Sequence, residues 1–197
     1  QRLGAGGWLG YLEGRNPTYP ESVLRGDLNR VTRQVEAMRR DPTTPSTRLS
    51  DDPMVYNPVW VGHLVQLMLG GPAPGTPLIG GPLHCRVRYF DPVRQRAGVP
   101  PDIAALVEHL GRDSATLNLI NTHATEARKV VIQGGAYGEH QILAVAHQDT
   151  EIRVENSHFA VHLAPGAGGR LHLRMQRYAR QPTFIFPWHQ EANNDRQ

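Results

Sequence analysis

Lysine is almost missing from this 197-residue chain. Lys129 is the single lysine among 21 Lys and Arg, set against 18 Asp and Glu. The resulting charge of +3 is scattered, and no run of cations offers the electrostatic stripe that nucleic acid or an anionic membrane surface requires. No nucleic-acid partner is expected. Cysteine is nearly missing too: Cys85 stands alone, which excludes an internal disulfide and any multi-cysteine zinc motif. No apolar run approaches the ~18 residues that a helical span needs, so no membrane insertion is expected. The glycine-rich stretches do not follow a strand and open a helix, and no G-x-S-x-G elbow occurs, so phosphate-loop, dinucleotide and serine-hydrolase readings fail. No cofactor is expected.

What is present is 39% hydrophobic residues in a length that allows one domain, or one domain with a small companion. Residues 1–20 carry five glycines around Trp8 and Tyr11. The stretch is too glycine-rich for an isolated helix, and reads as the tail of a preceding element. Residues 21–40 place Val23, Leu24, Leu28, Val31, Val35 and Met38 on one helical face, with Glu21 and Asp27 early and Arg39 and Arg40 late. Residues 58–69 (PVWVGHLVQLML) make a second helix, apolar nearly all round, with Asn57 at its start and Gly70-Gly71 at its end. His63 is its polar exception, read as a satisfied histidine at a groove edge. Two helices bury such a face poorly. Residues 1–70 are therefore expected to be the C-terminal end of a larger helical domain, with that upstream domain as a partner. In the connecting loop, Asp51, Asp52, Tyr56 and Asn57 read as turn and helix caps, too sparse for a calcium set.

Residues 71–82 form a proline-glycine linker that neither a helix nor a central strand tolerates. Beyond it the period changes from helical to alternating. Residues 83–90 put Leu83, Cys85, Val87 and Tyr89 on one face and His84, Arg86 and Arg88 on the other. Residues 100–111 (PPDIAALVEHLG) read as a short helix. Strands are expected at 115–123, 127–133, 140–148, 151–156, 157–163 and 170–178, with an extended edge segment at 182–188 between Pro182 and Pro187. A polar, disordered tail is expected over 190–197. The fold class is α+β: a short N-terminal helical segment followed, over 83–189, by an antiparallel two-sheet β-sandwich, jelly-roll-like or Ig-like. Phe159, Val161 and Leu163 face inward, as do Leu171, Leu173 and Met175, leaving His158, His162 and His172 outside. If these two runs pair, His162 stands opposite His172, a weak two-nitrogen metal candidate without a third ligand. No metal is expected.

The loop 134–141 (GGAYGEHQ) is the most informative candidate. Its glycines permit close ligand approach, while Tyr137, Glu139 and His140 bring together an aromatic face, a carboxylate and an imidazole. Asn121 and His123, with Asn118 and Thr122, form a polar patch that could serve a flat saccharide platform or ordinary turns. No second carboxylate stands at a fixed spacing from Glu139, so no glycosidase pair is inferred. Cys85 lies on an inward face and is a poor nucleophile.

In its order of elements alone, the layout resembles the tail of carbohydrate-active enzymes built on an α/α toroid with a sandwich cap. The resemblance carries over no residue. It implies an accessory module that packs on a helical domain and possibly binds a glycan. The alternatives are a fragment of a hydrolase or lyase completed by upstream residues, or a structural or assembly domain of the cell envelope. The compartment that fits such a sandwich best is the cell envelope or outside the cytoplasm.

Overall fold

The computed structural model describes residues 7–48, 57–72 and 82–189. The chain divides into two units, 1–65 and 66–197. The expected linker 71–82 and the tail 190–197 fall largely outside the described residues.

In the first unit, α1 (Trp8–Leu12) is followed by α2 (Tyr19–Arg40), a 3-10 turn (Pro45–Arg48) and the first residues of α3 (Gly62–Leu69). α2 has Pro20 in its first turn, Glu21 beside it and Arg39 and Arg40 in its last turn, the charge order that a helix dipole favours. α3 is shorter than its apolar pattern. Asn57 accepts the amide of Val59 through Oδ1 (2.9 Å), so it closes a turn ahead of the helix, and Gly70 ends the helix at φ 61°. The described part of this unit buries only Gly10 and Asp27. From Gln66 onward α3 belongs to the second unit, where Leu67 is buried and Met68 and Leu69 pack on the core.

Among the described residues of the second unit, nine strands make two antiparallel sheets that pack together as a sandwich. One sheet has the order β2 (Arg96–Ala97), β1 (Val87–Asp91), β5 (Arg128–Gly134), β8 (His158–Leu163). The other runs β3 (Ile103–Leu110), β4 (Ser114–Asn121), β9 (Gly168–Gln176), β6 (Gln141–His147), β7 (Thr150–Asn156). Alternation sorts the side chains as the period requires: Cys85, Val87 and Tyr89 are buried, while His84 is exposed. Leu171, Leu173 and Met175 are buried, and Phe159, Val161 and Leu163 pack half-buried against the same core.

Three expectations are corrected. Residues 100–111 are not a helix: β3 pairs with β4 from Ile103↔Asn121 to Leu110↔Ala115, with a bulge between Val107 and His109. Ala104, Ala105, Leu106 and Glu108 have strong helix propensity, but burying Ile103 and Val107 on a sheet outweighs it. The segment 182–188 joins neither sheet; it lies as a strap whose Phe186 and Trp188 rings stack at 4.9 Å and meet Phe90 edge-on. His158, expected to be solvent-facing, is buried, and its Nδ1 meets Ser157 Oγ at 3.1 Å.

Tyr89 is 1% exposed and its hydroxyl finds no hydrogen-bond partner among the described residues, an arrangement that costs free energy, and burial pushes its pKa up. Tyr89→Phe is therefore expected to leave stability unchanged or raise it by about 1 kcal/mol. Leu117→Ala, at a site with no exposure, should lower it by about 2–5 kcal/mol. Denaturant unfolding of both variants checks this, and a Tyr89→Phe variant that loses stability would contradict it.

Candidate functional site

The loop between β5 and β6 carries the chain from one sheet to the other. Gly135 (φ 82°) and Gly138 (φ 72°) adopt left-handed backbone, which L side chains rarely take. A Cβ on Gly135 would lie 2.3 Å from Glu139 Cδ, so the glycine makes room for the carboxylate to fold back over the loop. There Glu139 Oε1 accepts the amide of Ala136 (3.2 Å) and Oε2 that of Tyr137 (2.7 Å). Arg88 Nη1 donates to the Ala136 carbonyl at 2.9 Å, completing a polar clamp around a buried turn.

His140 is 2% exposed. Its Nδ1 accepts the Tyr178 amide (3.2 Å), which places the proton of the neutral ring on Nε2, and the Tyr178 ring meets it edge-on at 4.8 Å. Burial holds its pKa below the ordinary value, against an opposing pull from the Glu139 charge. The Tyr137 hydroxyl accepts the Leu83 amide (3.2 Å) and its ring meets Phe184 at 5.3 Å. The strap fastens the loop from above: the amides of Thr183 and Arg180 donate to the carbonyls of Tyr137 (2.8 Å) and Glu139 (3.2 Å). Tyr137, Glu139 and His140 are thus brought together as expected, but their polar atoms hold the loop and strap in place. Beneath them the Cys85 thiol is pushed up to about 12, by burial first and then by the Glu139 charge, so it stays protonated and unreactive.

Asn121 and His123 sit at the end of β4, at a distinct corner. Asn121 is fully buried; its Nδ2 donates to the carbonyls of Glu126 (2.8 Å), Leu163 (3.2 Å) and Ala164 (3.1 Å), and its Oδ1 accepts the His123 amide (3.0 Å). His123 Nδ1 accepts the amides of Thr125 and Glu126. The pair ties three chain segments together. The facing of His162 and His172 is a further correction. β8 pairs with β5 and β9 with β4 and β6, so the two histidines lie in different sheets: His162 stands beside Lys129, and His172 beside Thr116 and Ala146. The short APGAGG connection crosses between sheets instead of making a hairpin. Among the described residues no group of three His, Cys, Asp or Glu could hold a metal ion.

A polar hollow of about 470 Å³ lies beside β5, lined by Asp91, Asp102, Glu126 and Arg128 among others. Arg128 spans Asp102 (2.7 Å) and Glu126 (2.5 Å), so its guanidinium is committed to two carboxylates. In the helical unit, His63 Nδ1 and Asp27 Oδ1 are 2.9 Å apart, with the Asp27 carboxylate nearly buried. This pair was missed in sequence. The available signal is that Asp27 falls four residues after Val23 and four before Val31, in the middle of the apolar stripe. Asp51 and Tyr56 lie outside the described residues.

A family model described as a Domain of unknown function (DUF8034) matches residues 4–65, the same stretch as the helical unit. Comparison with the curated proteins and with the solved structures gives no match.

Removing the Glu139 carboxylate strands two buried amides, so Glu139→Ala should cost about 1–3 kcal/mol of sandwich stability, measured by denaturant unfolding. His140 gives a signed pH dependence. Its folded pKa lies below 6.5, so as pH falls the unfolded chain takes up the proton first. Stability is complete above 6.5 and is lost as pH falls through the folded value. Between about pH 7.5 and about pH 5, wild type should lose more thermal stability than His140→Gln. Equal losses would contradict the assignment.

Proposed function

We propose that this chain is an accessory module of a larger multidomain protein, in which the sandwich and the helical segment ahead of it pack on a helical domain of the same protein. One observation carries the reading: the helical unit leaves its apolar side chains in water. Leu28 is 64% exposed, Val59 66%, Val61 45% and Leu64 43%. Trp60 is 39% exposed, with the Arg30 guanidinium 3.7 Å from its ring. Large apolar side chains left exposed together on a small helical unit suit an interaction surface. The partner suited to an apolar helical face is another amphipathic helix, ridges into grooves.

A glycan-binding role is the second reading, and it is favoured by the strap. Phe184 is 89% exposed with its ring beside Tyr137, and Ile185 and Phe186 are exposed next to it. A free aromatic ring of this sort can stack on the apolar face of a sugar. Catalysis by the 134–141 loop draws no support from a carboxylate already committed to two backbone amides.

Hydrogen exchange on the complete gene product, set beside the 197-residue chain, tests the docking reading. Amides of α2 and of residues 59–65 should be protected in the complete product and exchange readily in the chain. Equal exchange in the two would overturn it. For the second reading, a screen of soluble oligosaccharides should give binding that Phe184→Ala abolishes; absence of binding removes the glycan role and leaves the docking role standing.

A further inference from the structure

A second opening lies on the sandwich, away from the loop and strap. β7 and β8 are the edge strands of their respective sheets. They are consecutive in the chain: β7 carries a register irregularity at Glu155 (φ 50°), and the chain passes to the other sheet at Ser157. Among the described residues no strand closes the gap between these two edges, and the inner layer opens to solvent there. The result is a cleft of about 420 Å³, walled by Val145 and Leu171 at its floor and by Ile152, Val154, Phe159 and Val161 at its sides. A hollow of about 310 Å³ shares the Val161, Leu171, His147 and His162 walls and leads toward Gly168 and Gly169. Ile152 is 63% exposed although it lines this recess. Volume and lining match small-molecule pockets, which are mostly apolar with few, well-placed polar groups.

Of the polar side chains that line the cleft, His147, Gln148, Thr150 and His162, His147 has its ring chemistry fixed by a backbone partner. Its Nδ1 lies 2.9 Å from the Arg170 carbonyl. A carbonyl only accepts, so Nδ1 carries the proton and Nε2 of the neutral ring is left as an acceptor. The ring holds this position because residue 169 is glycine: a Cβ there would come 2.5 Å from His147 Cε1. An acceptor at the rim of an apolar slot calls for a donor at the end of an apolar body. We propose that the inter-sheet cleft between β7 and β8 binds a small apolar molecule bearing a hydroxyl group, with the hydroxyl donating to His147 Nε2 and the body lying between Ile152 and Phe159. The proposal stands independently of the docking face on the helical unit.

Titration of the isotope-labelled 197-residue chain with naphthol, and with methylnaphthalene of the same shape lacking the donor, tests it by amide chemical shifts. Both probes should shift Ile152, Val154, Phe159 and Val161, with naphthol binding about fivefold more tightly, the size of one neutral hydrogen bond. His147→Phe should erase that preference while leaving the methylnaphthalene affinity unchanged. Gly169→Ala, which displaces the ring and keeps the imidazole, should erase it as well. Absence of shifts at these four residues, equal affinity for the two probes in the unaltered chain, or shifts centred on the strap at 178–188 would each overturn the proposal.

Discussion

Alternate side chains from the two sheets meet in a layer whose centre water does not reach, and the remainder of the second unit is arranged around it. Val87, Leu117, Val130, Ile132 and Ile142 have no exposure at all, and Leu173 and Met175 have 1%. Each such residue contributes roughly 1.5–3 kcal/mol of transfer free energy, enough to set strand register and to dictate which loops must cross between sheets. The 134–141 loop is one of those crossings. Its polar groups are buried because the layer beneath it is dry, and a buried polar group without a partner is costly. Glu139, Arg88 and Asn121 are consequently engaged with backbone, and the strap closes over what they hold together.

The helical unit has no equivalent layer. α2 is amphipathic, but its apolar face is half-buried or exposed, as are residues 57–65 after it, and within this unit the Asp27 carboxylate is the buried polar group among the described residues, held against His63. A short helix gains most of its stability from packing an apolar face. An apolar face left open therefore implies a surface meant to cover it, which is the physical basis for reading this chain as a part that docks. The family model that matches this unit alone accords with its being a separable element.

Legibility in the sequence followed locality. The inward and outward sets of β1 and β9 were readable because strand alternation is a property of neighbouring residues, and the turn residues marked most strand limits. β3 was not readable: its alanines, leucines and glutamate favour a helix in isolation, and only the pairing with β4, together with the Glu108–Arg170 ion pair across the sheet (2.6 Å), makes it a strand. Sheet membership was equally hidden. Nothing within 157–178 says that β8 and β9 lie in opposite sheets, since that choice depends on partners some thirty to sixty residues away. The site residues show the same limit. The sequence identified Tyr137, Glu139, His140, Asn121 and His123 as chemically capable, but Tyr137, His140 and Asn121 take hydrogen-bond partners from remote backbone at Leu83, Tyr178 and Leu163. His147 carried no signal, because its orientation depends on a glycine in another strand.

The claim on which the account turns is that the sandwich is self-sufficient and the helical unit is not. Tryptophan fluorescence separates them, with Trp60 in one unit and Trp188 in the other. Denaturant titrations of two variants, one retaining only Trp60 and the other only Trp188, should give two transitions, with the Trp60 signal lost at distinctly lower denaturant. A single coincident transition would mean that the helical unit is as well packed as the sandwich, and would contradict the account.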